Sequence, residues 1–111
     1  MSELQGLEHQ LQEAKELVER RDLALRLADN RDFKKLIMQD FVVTEMARLA
    51  GEAGDPALDP KMQADCAEMS KAGGHLKRYL SVMVRQGNVA EQDIPQIEAA
   101  ITELRTDGGD D

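Results

Sequence analysis

Residues 4–28, LQGLEHQLQEAKELVERRDLALRLA, carry apolar residues at alternating steps of three and four. This is the heptad spacing of a helix that packs along one seam against another helix. Arg21 interrupts the seam, because it stands where an apolar residue is expected. Leu17, Leu23 and Leu27 widen the apolar stripe toward the C-terminal end, as in a helix that enters a broader core. We therefore predict a long, partly coiled-coil N-terminal helix over about 3–28.

A second helix is predicted over about 31–50. Asp29 and Asn30 favour a helix start before it, and Gly51 favours a helix end after it. Its apolar residues cover more than one face, so we expect it to be the most buried helix. A helix that continues through the Asp29–Asn30 junction is the competing interpretation. Residues 51–60, GEAGDPALDP, form the clearest loop.

A third helix is predicted over about 60–86 and has the most regular apolar period of the chain. It begins with Asp59 as a cap and Pro60 in the first helical position. Gly73 and Gly74 lie in its middle and weaken it. They indicate either the close approach of another helix or a kink or break, and the sequence leaves both open.

A fourth helix is predicted over about 94–106. Gly87 and Asn88 are expected to end the third helix before it. Asp93 then provides a cap, and Pro95 falls in the first turn, where a missing amide hydrogen is tolerated. One heptad seam follows, formed by Ile94, Ile97, Ile101 and Leu104.

The composition supports a helical fold, because aromatic residues make up only 3% of the chain. Sheet cores depend on aromatic and β-branched residues, which are scarce here. We predict an all-α protein of three to four helices, arranged as an antiparallel helical bundle. At this length we expect a single helical domain over 1–106, followed by a flexible acidic tail over 107–111.

The chain has 22 acidic and 14 basic residues, and its net charge of −8 repels free nucleic acid. Direct reading of nucleic acid is therefore not expected. Residues 1–19 and 86–111 are acidic, whereas residues 20–35 and 71–85 carry net charges of +3 and +4. These basic blocks are interpreted as solvated helix surface, with a local basic patch as the alternative.

Cys66 is the only cysteine, which excludes an internal disulfide and favours a reducing compartment. The first 25 residues contain no continuous apolar run, so no signal peptide is predicted. No stretch approaches the about 20 apolar residues of a membrane span. We expect a chain that is not secreted and not membrane-bound, located in a cytoplasm or carried in a particle.

The sequence predicts no catalytic, cofactor or metal site. His9, His75 and Cys66 lack metal-ligand spacing, and Cys66 lies on an apolar seam, where a buried packing thiol is expected. The many carboxylates are interpreted as helix surface, and no phosphate-binding loop is present. Arg21 is the one hint of an inward cation of the kind that helical enzymes use to hold dicarboxylates. A register-setting or rim-exposed arginine is the simpler interpretation. We therefore predict a non-enzyme.

The segment ERRDLALRLADNRDFKKLIMQDFVVTEMARLA and the later GGHLKRYL resemble a layout seen in small uncharacterised helical proteins of tailed bacteriophages. The resemblance covers about residues 17–82. It implies a virion or assembly component and carries no catalytic residues. The matching positions are Asn30, Phe33, Lys34, Lys35, Leu36, Ile37, His75 and Leu76.

Three functions remain open, and the first is a helical interaction protein that forms a homo-oligomer or joins a larger assembly. The second is a small acidic regulator that binds a host protein in the manner of a nucleic-acid mimic, with residues 86–111 as its surface. The third is a helical enzyme. The first is preferred, because the chain has more apolar seams than it can cover by itself. Its candidate protein interface consists of Leu4, Leu7, Leu11, Val18, Ile97, Ile101 and Leu104.

Overall fold

The computed structural model describes residues 2–107, and every regular element in that range is helical. The all-α prediction is confirmed. The acidic tail was predicted over 107–111. Asp107 instead ends the last helix, and residues 108–111 lie outside the described residues. No helix of residues 2–107 is long and apolar enough to cross a membrane. The elements are α1 (Glu3–Asp29), α2 (Arg31–Phe33), a π-helical segment (Lys34–Glu45), α3 (Met46–Ala53), α4 (Pro60–Met69) and α5 (Ala72–Asp107).

Two caps lie close to where the sequence predicts them. The Asn30 side chain accepts a hydrogen bond from the backbone N–H of Phe33 at 2.9 Å, so Asn30 rather than Asp29 caps the second helical segment. Asp59 accepts from the N–H of Met62 at 2.8 Å and precedes Pro60 in the first position of α4. Both side chains satisfy amide donors that have no partner inside their helix.

The middle of the second helical segment is π-helical, which the sequence did not predict. The N–H of Met46 reaches back five residues to the carbonyl of Phe41, as π-helical bonding requires. No residue of Lys34–Glu45 is buried. The expectation of a most buried second helix is therefore corrected, because burial begins only with Met46 and Leu49 of α3. The segment also runs past Gly51 and ends at Ala53.

The predicted third and fourth helices, 60–86 and 94–106, are divided differently in the structure. The break falls at 70–71, just before the glycine pair, and α5 then runs without interruption to Asp107. Gly87 and Asn88 therefore do not end a helix. Pro95 lies inside α5, which lacks one backbone hydrogen bond there.

The contacts within the chain divide it into two units. Unit 1 contains the described residues of α1 up to Leu25 and those of α5 from Val82 onward. Arg105 donates a hydrogen bond to Glu8 at 2.9 Å, so residues far apart in sequence meet in this unit. Its buried hydrophobic side chains are small apart from one isoleucine, namely Ala14, Ala24, Ala90 and Ile101.

Unit 2 comprises Arg26–Ser81. Its core is formed by Met46, Leu49 and Cys66, with Phe41 and Ala53 packed against them. Because Met46 and Leu49 lie on α3 and Cys66 lies on α4, this cluster joins the two helices.

Two glycines of α5 lie where another segment comes very close. A Cβ atom at Gly73 would lie 2.5 Å from Cγ of Met46 and 3.0 Å from Cα of Val42. A Cβ atom at Gly87 would lie 2.8 Å from Cγ of Arg21 and closer still to its Cβ. At Gly74, by contrast, no atom of residues 2–107 outside the adjacent helix backbone lies within 4 Å of that position. Of the two interpretations of the Gly73–Gly74 pair, close approach therefore applies to Gly73.

We predict that Gly73→Ala and Gly87→Ala each lower the free energy of unfolding by about 1–3 kcal/mol, because the added methyl overpacks a filled contact. Gly74→Ala is the matched control in the same helix and is expected to raise stability by up to about 1 kcal/mol through helix propensity. Urea unfolding followed by circular dichroism measures all three. Equal effects of the three substitutions would contradict the close-approach assignment.

Candidate protein-interaction site

The predicted interface residues all lie in unit 1, where they are partly covered. Six of them are half-buried, and Ile101 is 5% exposed. The most exposed large apolar residues of this unit were not among the predicted interface residues. They are Leu23, Leu25 and Val89, which are 58%, 48% and 54% exposed. The seam of the N-terminal helix is thus partly occupied within its own unit, and surface available to a partner lies beside it.

A groove of about 430 Å³ runs between α1 and α5 in unit 1. We call it the α1/α5 groove. Ala14 and Ala90 are 7% and 4% exposed, and such small side chains leave room above them. The apolar lining is Ala14, Leu17, Val89, Ala90 and Ile97, and the polar lining is Gln10, Glu13, Arg85, Gln86 and Asp93.

Glu13 on the groove also contacts the ring of His9, with 2.6 Å between Nε2 and the carboxylate oxygen. The two residues are one helical turn apart, and both side chains are more than 60% exposed. Such a surface pair contributes little to stability. Among the described residues, no group of three or more His, Cys, Asp or Glu side chains is arranged to hold a metal ion.

Arg21, the residue that interrupts the seam, is bound by polar groups of its own unit. Its side chain is only 11% exposed. It donates two hydrogen bonds to Asp22 at 3.0 and 3.1 Å, one to Asn88 at 3.0 Å and one to Glu91. Hydrogen bonding to Glu91, and then to Asp22, raises the pKa of the Arg21 guanidinium. The positive charge of the guanidinium is thereby balanced by carboxylates of the same unit.

The Arg21 contact explains why the seam tolerates a polar residue. A long side chain on α1 needs space on α5, and Gly87 provides that space because it has no side chain. Sequence reasoning took Gly87 for a helix end and so missed this contact. The sequence did contain a signal for this contact. One seam carries an unusually large residue, Arg21, and the seam of another helix carries a glycine, Gly87, that can make room for it.

In unit 2 a chain of polar contacts links α3 to Cys66. Arg48 donates hydrogen bonds to both carboxylate oxygens of Glu45, at 2.5 and 3.0 Å, and to Oε1 of Glu52 at 2.6 Å. The hydrogen bond from Arg48 lowers the pKa of Glu45. The other oxygen of Glu52 accepts a hydrogen bond from the Cys66 thiol at 3.4 Å.

Cys66 is a buried packing residue, as the sequence predicts. Burial, and then its hydrogen bond to Glu52, raises the pKa of the thiol. The thiolate is the reactive form of cysteine, so both causes make this thiol less reactive at neutral pH. The arrangement stabilises the contact between α3 and α4 and does not favour nucleophilic chemistry.

Comparison with models of known protein families, with curated proteins and with solved structures gave no significant match. The resemblance to phage proteins therefore stays a prediction.

We predict that Cys66 in the native chain reacts with an aromatic disulfide reagent at least about tenfold more slowly than in urea, since the thiol is buried and its pKa is raised. The rise of the reaction rate with pH is expected at higher pH than for a free cysteine. Glu52→Gln is expected to speed the reaction at a given pH, because it removes a carboxylate that disfavours the thiolate.

Glu68→Gln is the control for this experiment, since Glu68 lies on the same helix but pairs with Lys71. It is expected to leave the reaction rate unchanged. A native rate equal to the unfolded rate would contradict the buried position of Cys66.

Proposed function

We propose that this protein is a non-enzymatic helical interaction protein that oligomerises or docks on a larger protein particle. One observation carries this proposal: among residues 2–107, no large side chain is fully buried. A domain of ordinary size normally has a core of fully buried side chains. Over the same residues, nine large hydrophobic side chains are between 44% and 63% exposed. Covering these side chains with a partner would supply the burial that the isolated chain lacks.

Part of the proposal is that α1 and α5 run antiparallel in unit 1, as the predicted antiparallel bundle requires. Two contacts support this course, because Glu8 meets Arg105 and Arg21 meets Gly87. The residue number of the contact on α5 falls as the residue number on α1 rises. Counting heptads from Arg21 and Gly87 brings three predicted interface residues of α1 opposite three of α5. These pairs are Leu4 with Leu104, Leu7 with Ile101, and Leu11 with Ile97.

The non-enzymatic part of the proposal is supported by the state of Arg21. An enzyme that holds a dicarboxylate needs a cation that is free to bind it. Arg21 instead binds the carboxylates of Asp22 and Glu91. Arg85 is the only cationic side chain that lines the α1/α5 groove, where such a site would need two or more.

The resemblance to small helical phage proteins supports a virion or assembly component as the form of this interaction protein. Localisation in the host cytoplasm, with incorporation into a virion, follows from the same proposal. A single buried thiol suits a reducing compartment.

Self-association is expected to use unit 2, because residues 26–81 contain nine acidic and nine basic residues and do not repel a second copy. Leu36 and Val43 are the most exposed large hydrophobic residues of this unit, at 63% and 61%.

We predict that light scattering of the isolated chain gives a mass above the 12.4 kDa of one chain at about 100 µM, falling on dilution. The double substitution Leu36→Asn and Val43→Asn is expected to lower that mass.

Leu23→Asn is the control, since Leu23 is similarly exposed but belongs to unit 1. A monomeric mass at every concentration, together with failure to co-sediment with purified phage particles, would contradict the proposed function.

A second candidate function, the acidic regulator of a host protein, is favoured by the distribution of charge. Residues 1–25 and 82–111 contain 13 acidic and five basic residues, so the net negative charge of the chain resides in unit 1. A surface of this kind suits the basic cleft of a nucleic-acid-binding protein.

For this second candidate we predict that binding to an immobilised host nucleic-acid-binding protein weakens steeply between about 50 and about 300 mM salt. Neutralising Glu98 and Glu103 by substitution with glutamine is expected to reduce both affinity and salt dependence. Binding that changes with neither salt nor these substitutions would exclude the acidic-mimic interpretation.

A further inference from the structure

We propose that the α1/α5 groove of unit 1 binds one amphipathic α-helix of a partner protein, with basic residues flanking the apolar face of that helix. This inference rests on the proposed function and names the class of partner for one of its surfaces. The lining of the groove is mainly apolar, and the groove lies in a unit whose sequence is strongly acidic. Each of these features selects one property of the occupant.

The shape of the groove selects a helix. Along α5 its lining runs from Arg85 to Ile97, which corresponds to about 18 Å or about three helical turns. Two neighbouring helices form its walls, and a third helix can lie along them with its apolar residues against the floor. Ala14 and Ala90 allow that helix to approach closely, because they add little height to the floor.

Val89 provides the main apolar anchor that is still uncovered. Its side chain is 54% exposed although it lines an apolar groove. Leu17 and Ile97, which also line the groove, are half-buried. A leucine or isoleucine of an incoming helix would remove apolar surface of all three from water, which is the main source of affinity at such grooves.

The charge of the groove and of its unit selects basic flanking residues. Glu13 and Asp93 line the groove, while Arg85 is the single cation of the lining. The surrounding unit adds to this field, since its sequence contains 13 acidic and five basic residues. Lysine or arginine beside the apolar face of a partner helix would therefore be attracted during approach and paired after docking.

The same charge disfavours unit 1 of a second copy as the occupant. Two copies that met through unit 1 would bring two strongly acidic surfaces together, and like charges oppose association. A basic helix from a different protein meets no such repulsion.

The test uses a fluorescein-labelled peptide of about 14 residues with leucine on one helical face and lysine on the other. Its binding to the full chain is followed by fluorescence anisotropy. A matched peptide with glutamate in place of lysine is expected not to bind. Val89→Asn is expected to weaken binding of the lysine peptide about tenfold, by removing one apolar anchor.

Two matched controls separate groove binding from general attraction to an acidic protein. Leu23→Asn removes a similarly exposed apolar residue of unit 1 that does not line the groove, and it is expected to change affinity by less than about twofold. The pair Glu13→Gln and Asp93→Asn is expected to weaken binding more than Glu98→Gln and Glu103→Gln, although both pairs remove two negative charges. Circular dichroism melting confirms that each variant is folded.

Equal effects of the groove variants and their controls would overturn this inference, since they would show adsorption to acidic surface. Disruption by Val89→Asn of a dimer seen in light scattering would also overturn it, because a second copy would then fill the groove. Neither outcome contradicts the proposed function. That function fails separately if the chain stays monomeric and does not co-sediment with purified phage particles.

Discussion

The contact between Arg21 and Gly87 is the constraint on which the rest of unit 1 depends. An arginine on an apolar seam is tolerated only where the facing helix has no side chain and its charge finds carboxylates. Gly87 meets the first condition, and Asp22 and Glu91 meet the second. Any shift of α5 by one residue would replace glycine with a larger side chain and move Asn88 and Glu91, the partners of the guanidinium on α5, out of place. A polar contact inside an apolar seam commonly fixes register at some cost in stability.

The structural features that could be predicted from the sequence are those whose residues lie within about one helical turn of each other. The Asp59–Pro60 start of α4 was predicted correctly, because a cap and its proline act within one turn. Gly87 was misjudged because its role depends on a residue 66 positions earlier in the chain. The π-helical bonding of residues 34–45 had no local signal at all, since that stretch contains neither glycine nor proline. Within the groove, Leu17 was visible as part of a widened stripe, whereas Val89 belonged to no seam.

The division of charge shows how chain topology changes the meaning of a sequence pattern. Along the chain, acidic and basic blocks alternate and suggest a mixed surface. In the structure, the two acidic ends contribute to one unit, while residues 26–81 balance their charges. Apolar burial follows the same division, with a small methionine, leucine and cysteine core in unit 2 and mainly alanine in unit 1. The two units therefore offer different surfaces: unit 1 is acidic and grooved, whereas unit 2 is neutral in net charge and exposes Leu36 and Val43.

The π-helical segment Lys34–Glu45 sets a limit on how this sequence can evolve. Each residue of an α-helix turns the chain by about 100°, so the loss or gain of one residue rotates everything that follows. Met46 and Leu49 come directly after this segment and supply two of the three core side chains of unit 2. None of the residues 34–45 is itself buried. Natural variants are thus expected to keep the residue count of this stretch constant, and to exchange side chains most freely at its exposed polar positions, such as Gln39 and Thr44.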